Sequence, residues 1–258
     1  MENLPEQIRK ISEEFVENVR EAFGKSLHSV ILYGPAARGE MVPGKKVPSI
    51  NYLVVVDDNT PSELARCSKY VKKWSKQLIT MPLFLIPGYI KLSLDTFPLE
   101  FMDISNAYHV FYGEDILEDI DFDRTDVRNQ CERELKGKLL HLRAEYLNLR
   151  GDKKGLMDLI NRSLHTFRHI FNGALFLKEH EVPKETGYLL RAVTEEYELD
   201  ASLFKKLTAV ANGDVKIDEA EADELFDLYV EELDKMSHSI DEMSESGNEM
   251  SESGNEEL

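Results

Sequence analysis

The chain has 258 residues, enough for two ordinary domains, and a formal net charge of −18 at neutral pH. Its hydrophobic content of 42% is sufficient for packed cores, whereas no apolar run reaches the roughly 20 residues that cross a bilayer. The acidic charge disfavours a nucleic-acid partner, because a local basic patch would have to overcome long-range repulsion. We expect a cytoplasmic protein with no membrane partner.

The first 24 residues predict one amphipathic helix. Ile8, Phe15 and Val19 recur at helical spacing, and Gly24 ends the pattern. We expect this helix to pack its apolar side on a sheet.

The stretch 29–58 predicts two strands joined by a turn and a loop. An apolar run that ends at Tyr33 is followed by Gly34, and a second apolar run covers 52–56. We expect a short helix to start just after Gly34. Glycine lets the backbone approach a ligand closely, and the free N–H groups at the start of a helix favour an anion. The predicted ligand of this turn is a phosphate group.

The rest of the first domain predicts a helix over about 60–79 and further strands. One side of this helix is basic, which we interpret as a solvated face. The further strands are predicted at 83–86, 89–94 and 97–104. We therefore expect a mixed sheet of four or five strands, an α/β domain over residues 1–115 and a boundary near 114–124.

From residue 125 onward the sequence predicts helices alone. Apolar residues recur at helical spacing over about 127–149, 156–175, 187–197, 201–211 and 218–237. Five amphipathic helices joined by short loops predict an all-α helical-bundle domain over 125–238.

Residues 241–258 contain the sequence Glu-Met-Ser-Glu-Ser-Gly-Asn twice in tandem, at 242–248 and 249–255. The segment holds seven acidic residues and no Lys or Arg. Because it is too poor in apolar residues to bury a core, we expect a disordered acidic tail.

The two cysteines, Cys67 and Cys131, lie in sequence that is typical of helices and have no neighbouring His or Cys at metal-ligand spacing. This pattern gives no indication of a disulfide framework or a zinc site. We expect both to be small buried or half-buried thiols.

The stretch around Gly34 resembles the signature of the nucleotidyltransferase superfamily that includes DNA polymerase β, and in particular its small prokaryotic members. Their pattern is Gly-Ser, a loop, and then Asp-x-Asp on the next strand. Gly34 matches the glycine, Pro35 replaces the serine that helps to hold a phosphate, and Arg38 belongs to the run that commonly follows. A helical bundle accompanies many minimal members of this superfamily, so the resemblance implies both predicted domains.

The family's metal-binding carboxylates are the part of the pattern that this chain lacks. Ser49 and Asn51 stand where the resemblance places two aspartates, so the Asp-x-Asp motif is degenerate. For the third carboxylate the candidates are Glu100, which we favour, and Asp103, both on the strand predicted at 97–104. One carboxylate does not hold two Mg²⁺ ions, because Mg²⁺ prefers anionic oxygen ligands. We therefore predict no metal site.

We expect a catalytically impaired nucleotidyltransferase-superfamily protein that binds a nucleotide or a partner in the cleft between its domains. The resemblance implies that Gly34, Pro35, Arg38, Lys45 and Lys46 contact the nucleotide. No cofactor is predicted for this function.

Two alternatives stay open. In the first, Asp57, Asp58 or Asp103 substitutes for the missing carboxylates, and an active enzyme with a non-standard metal site uses Mg²⁺ and an NTP to transfer NMP to an unknown acceptor. In the second, the cleft is vestigial and the chain is an interaction module that binds a protein partner or a second copy of itself.

A further pattern lies in the predicted helical domain. Arg162, His165 and His169 share one face of a predicted helix, and Arg168 lies beside them. The spacing from Arg162 to His169 resembles that of ribonuclease members of the same helical family. The interpretations are an exposed or interdomain polar face, which we favour, ligand binding, and RNA cleavage with His as a general base.

Overall fold

The computed structural model describes residues 4–40, 49–212 and 214–252. The chain divides into two compact units, residues 1–123 and 124–258. The first unit contains α1 (Glu6–Phe23), β1 (Leu27–Tyr33), β2 (Asn51–Val56), α2 (Pro61–Leu64), α3 (Ser68–Lys76), β3 (Leu83–Leu85), α4 (Pro87–Leu92), α5 (Pro98–Asn106) and β4 (Tyr108–Gly113). The second contains α6 (Arg124–Leu149), α7 (Lys153–Thr166), α8 (Arg168–Leu177), α9 (Thr186–Glu196), α10 (Ala201–Asn212) and α11 (Glu219–Glu252).

The first unit is built on a four-stranded mixed sheet with the strand order β3-β2-β1-β4. β1 pairs antiparallel with both β2 and β4, while β2 pairs parallel with β3. β1 and β2 are apolar along nearly their whole length because both of their faces are buried. The α/β domain with a mixed sheet and a separate helical region confirms the predicted fold class.

One face of the sheet is covered by α1 and α3. Phe15 of α1 stacks on Tyr52 of β2, with ring centroids 4.0 Å apart, and Trp74 of α3 packs on Phe15 with centroids 4.9 Å apart. The buried Tyr52 hydroxyl forms a 2.7 Å hydrogen bond with the Ser12 hydroxyl of α1, which satisfies its polar end. This cluster anchors β2, whose first residue is Asn51, against α1.

Two segments that the sequence analysis assigned as strands are helices. Residues 89–94 fall largely in α4, and residues 97–104 fall in α5. Each helix has a proline in its first turn, Pro87 or Pro98, where the missing N–H does no harm and the fixed φ favours helix. In α5 the residues Leu99, Phe101, Met102 and Ile104 are all buried. A helix that is buried on several sides loses the one-sided pattern that distinguishes it from a strand.

The short helix expected after Gly34 is also absent, since residues 35–39 form turns.

The second unit is helical throughout its described elements. α6 packs against α8 and α11, and Cys131 of α6 is fully buried, as is Cys67 in the first unit. Both thiols are free, as predicted. The helix predicted over 156–175 is divided at Phe167 into α7 and α8. Here the Ser163 carbonyl accepts both from the Phe167 N–H (2.8 Å) and from the Thr166 hydroxyl (3.0 Å).

The last helix, α11, continues to Glu252 and so crosses most of the segment for which the sequence predicted disorder. The repeat contains no proline, and its Glu and Met residues are good helix formers that extend a helix already started. Residues 253–258 lie outside the described residues. Across the part of the chain that the structure describes, none of the helices has both the length and the apolar character needed to cross a membrane.

Candidate functional site

The turn after β1 has the geometry that the sequence predicted for a glycine at a strand end. Gly34 has φ +75°, in the left-handed region that favours glycine. The turn is closed by hydrogen bonds from the Arg38 N–H to the Gly34 carbonyl (3.0 Å) and from the Glu40 N–H to the Pro35 carbonyl (3.1 Å). The backbone therefore reverses tightly at the end of a central strand.

The side chain of Asn51 lies directly against this turn. Tyr33 pairs with Asn51 across β1 and β2, so the next residue, Gly34, lies over the Asn51 side chain. A Cβ atom at position 34 would be only 2.7 Å from Asn51 Nδ2. The other end of the amide is held as well, because Asn51 Oδ1 accepts a 2.8 Å hydrogen bond from the Thr80 hydroxyl. A neutral amide thus occupies the position where the resemblance places a metal-binding carboxylate.

Thr80 is a site residue that the sequence analysis missed. The Thr80 N–H donates to the Ile50 carbonyl (3.0 Å), and the Ile50 N–H donates to the Leu78 carbonyl (2.9 Å). These bonds hold residues 78–80 beside the start of β2. The available signal was the position of Thr80 just before a predicted strand, where polar side chains often reach the end of a neighbouring strand.

Arg38 is buried and neutralised within the turn. Its side chain is only 4% exposed, its Nε donates to Glu40 Oε1 at 3.1 Å, and its Nη1 lies 3.6 Å from Asp103 Oδ1. A buried guanidinium needs such partners, since an unpaired charge away from water is strongly destabilising. Arg38 was predicted to contact a nucleotide through its positive charge. That charge is already balanced by two carboxylates of the same unit.

Asp103 is a carboxylate that contacts this turn. Glu100 is exposed in the first turn of α5, whereas Asp103 pairs with Arg38. Burial, followed by the negative charge of Asp103, raises the pKa of the Tyr33 hydroxyl, which places Asp103 near the end of β1 as well.

Ser49 and Asp57 are two further predicted site residues that the structure describes. Ser49 is exposed ahead of β2, while Lys45 and Lys46 lie outside the described residues. Asp57, a candidate in the active-enzyme alternative, follows the far end of β2 and pairs with His28, at 2.5 Å between carboxylate and imidazole.

Two Mg²⁺ ions do not fit the residues present at the turn. Asn51 and Ser49 supply neutral oxygens, and Asp103 is engaged by Arg38. Within 4–40, 49–212 and 214–252, no group of three or more His, Cys, Asp or Glu side chains could hold a metal ion. The arrangement lacks the anionic oxygen ligands that Mg²⁺ prefers.

The polar pattern in the second unit is held by structural contacts. His169 Nε2 lies 2.8 Å from Glu134 Oε2, and Arg162 donates to a backbone carbonyl of its own helix. Arg168 is buried and bonds the loop before α9. The side chain of His165 lies outside the described part of the chain. Each of the three described side chains has a partner within the unit.

A groove of about 730 Å³ lies between α9 and α10 in the second unit. Its lining is largely apolar, with Leu190 and Phe204 contributing the largest apolar side chains. A volume of this size is typical of sites for small organic molecules or for a side-chain cluster of a partner.

Comparison with known proteins supports the fold. No protein-family model matches the chain, and no curated protein matches it by sequence. Among solved structures, the chain is similar to the spectinomycin adenyltransferase AAD(9) from Enterococcus faecialis, determined with ATP and spectinomycin. The TM-score is 0.51 at 13% sequence identity, over 92% of this chain and 100% of that chain. The chain therefore has the fold of a nucleotidyltransferase, an α/β domain followed by a helical region.

Proposed function

We propose that this protein is a nucleotidyltransferase-fold protein that binds a nucleotide without Mg²⁺ and does not transfer it. The observation that carries the proposal is the Asn51 amide, fixed by Thr80 on one side and packed under Gly34 on the other. Nucleotide transfer in this superfamily relies on metal-bound carboxylates, which stabilise the charge of the triphosphate. A neutral amide held in their place supports binding without catalysis.

The ion pair of Arg38 with Asp103 adds support to the proposal. To act as a metal ligand, Asp103 would have to leave a guanidinium whose side chain is 4% exposed. Such a rearrangement would leave the buried guanidinium with Glu40 as its remaining described partner, which is unfavourable. The pair therefore favours a turn whose charges are balanced internally.

The turn itself supplies the groups that would hold a phosphate. Its described backbone hydrogen bonds use the N–H groups of Arg38, Gly39 and Glu40, and that of the partly exposed Ala37 takes no part in them. Backbone N–H groups at such a turn bind anions without a metal ion. The structural neighbour was determined with ATP, which makes ATP the first ligand to test.

The test is isothermal titration calorimetry with ATP in EDTA and again in excess Mg²⁺, together with an assay for pyrophosphate release. We expect ATP to bind in EDTA, Mg²⁺ not to strengthen the binding, and no pyrophosphate to form. Binding that requires Mg²⁺, or steady pyrophosphate release, would instead establish the active enzyme with a non-standard metal site. Failure of ATP to bind under both conditions would overturn the proposal.

The groove between α9 and α10 favours a second candidate function, an interaction module that pairs with a second copy of the chain. Its apolar lining at Leu190 and Phe204 is suited to a side-chain cluster of a partner. Sedimentation velocity of the full chain tests this candidate. If it is correct, the wild type is dimeric and Leu190→Glu is monomeric; a monomeric wild type excludes it.

A further inference from the structure

Leu78 occupies a backbone position that normally belongs to glycine. It follows the end of α3 with φ +63°, in a motif closed by hydrogen bonds from the Leu78 N–H to the Ser75 carbonyl (3.3 Å) and from the Ile79 N–H to the Trp74 carbonyl (3.0 Å). This is the left-handed helix-ending position at which most residues other than glycine are strained. Its side chain is nevertheless 47% exposed, so burial does not explain why a leucine stands there.

A residue other than glycine with positive φ follows the end of a helix at two more places in the described chain, and its type can be compared with Leu78. Glu179 follows α8 with φ +58°, and Glu198 follows α9 with φ +51°. Both are exposed and charged. Only Leu78, among these three residues, combines the unfavourable backbone conformation with a large apolar side chain in water. The strained backbone and the exposed apolar side chain both lower the stability of the fold. This points to a role for Leu78 other than stabilising the fold.

The position of Leu78 links it to the candidate site. Its carbonyl accepts from the N–H of Ile50, the residue before Asn51, and two residues later Thr80 bonds the Asn51 side chain. Met81, directly after Thr80, is 69% exposed. Two exposed apolar residues therefore lie within two positions of Thr80, the residue that fixes Asn51 beneath the turn.

We propose that Leu78, with Met81, forms an apolar wall that packs against the base of a nucleotide whose phosphates lie at the Gly34 turn. This inference rests on the proposed function and adds to it the residues that contact the base. A nucleobase is planar and largely apolar on its faces, so covering it with aliphatic side chains removes apolar surface of both partners from water. The phosphates would be held by backbone N–H groups, and the base by Leu78.

The experiment compares ATP with inorganic tripolyphosphate in EDTA, using the full chain and calorimetry. Leu78→Gly removes the wall and relieves the backbone strain, so we expect a higher melting temperature, an ATP affinity lower by about tenfold or more, and an unchanged tripolyphosphate affinity. Leu78→Met should retain most of the ATP affinity. The matched control Glu198→Gly relieves the same kind of strain in the other unit and should leave ATP binding unchanged.

The outcomes separate this inference from the proposed function. If the wild type binds ATP and Leu78→Gly binds it equally well, Leu78 does not contact the base and the inference is wrong. An equal loss of ATP and tripolyphosphate binding would also overturn it, because Leu78 would then act on the phosphate turn. A change in self-association with unchanged ATP binding would assign the surface to a second copy. A wild type that binds neither ligand would refute the proposed function, and this inference with it.

Discussion

Asn51 Nδ2 lies where it would meet a Cβ atom on Gly34 at 2.7 Å, so the glycine and the amide are matched to each other. The two residues come from neighbouring strands, and Asn51 is fixed further by the Thr80 hydroxyl. Gly34 is therefore required for two separate reasons, its positive φ and its contact with Asn51. This relationship connects the backbone turn with Asn51, the residue at which the resemblance predicts a missing metal ligand.

Gly34→Ala should destabilise the protein more than Gly39→Ala does. Both glycines have positive φ, +75° and +72°, but a Cβ at position 39 meets nothing within 4 Å. We expect Gly39→Ala to lower the free energy of unfolding by about 1 kcal/mol, and Gly34→Ala by about 1–2 kcal/mol more. Urea unfolding gives both values. Adding Asn51→Ala should recover part of the loss at position 34; equal losses at the two glycines would refute the contact.

Arg38→Met should be strongly destabilising, because it leaves the partly buried carboxylates of Asp103 and Glu40 without their cation. We expect the free energy of unfolding to fall by about 2–4 kcal/mol at pH 7. The control is Lys10→Met, whose partner Glu6 and own side chain are both mostly exposed, with an expected loss below about 1 kcal/mol.

A double-mutant cycle of Arg38→Met with Asp103→Asn tests whether the destabilisation arises from this pair. Unfolding in urea should reveal a coupling of about 0.5–3 kcal/mol. Strictly additive effects would mean that Arg38 and Asp103 do not stabilise each other, and the turn would then not be neutralised in the way described.

The double change Ser49→Asp plus Asn51→Asp should create metal binding. It restores two anionic oxygens beside the turn, where the wild type has neutral ones. We expect Mn²⁺ to raise the melting temperature of the double variant and not that of the wild type, with a stabilisation of ~2.7 kcal/mol at a hundredfold excess over the dissociation constant. Because Pro35 still lacks a serine hydroxyl, we do not expect nucleotide transfer to return.

A charge-matched control for this experiment is Ser62→Asp plus Ser75→Asp, at exposed helical positions. It should show no response to Mn²⁺. If the double variant at 49 and 51 folds and also shows no response, the two positions are not those of the family's metal ligands.

The stability of the second unit should depend on pH through Glu134. Burial opposes its ionisation, but hydrogen bonds from His169 and Gln130 outweigh burial and hold its pKa below the usual value. A carboxyl group whose pKa is lowered in the folded state stabilises the fold at pH values above its unfolded pKa of about 4.3. This contribution is lost as the pH falls through the folded-state pKa. We expect His169→Gln to be less stable than wild type at pH 7, with the difference shrinking below about pH 4.

Urea unfolding between pH 3 and pH 7 measures this effect. His141→Gln, an exposed position on the same helix as Glu134, is the control and should show no such convergence. A difference between His169→Gln and wild type that stays constant over this range would show that the Glu134 contact does not respond to protonation.

Secondary structure was predictable where apolar residues mark one side of a helix or where a strand is buried on both faces. The helical spacing of Ile8, Phe15 and Val19 located α1, and the continuous apolar runs located β1 and β2. The prediction was wrong for α5, because Leu99, Phe101, Met102 and Ile104 are all buried and the segment therefore shows no one-sided helical pattern. Pro98 in the first turn was the signal that favoured a helix.

By itself, the sequence determined that a glycine follows an apolar run and that residues 49 and 51 are the neutral Ser49 and Asn51, since both facts depend only on which residues stand at which positions. Only the tertiary structure decided that Asp103 reaches Arg38, that Thr80 fixes Asn51, and that Leu78 lies beside them. These contacts join residues far apart in the chain, whose side chains meet only through the packing of α5 and the end of α3 against the sheet. Local periodicity carries no information about such pairs, because they depend on how whole elements are placed.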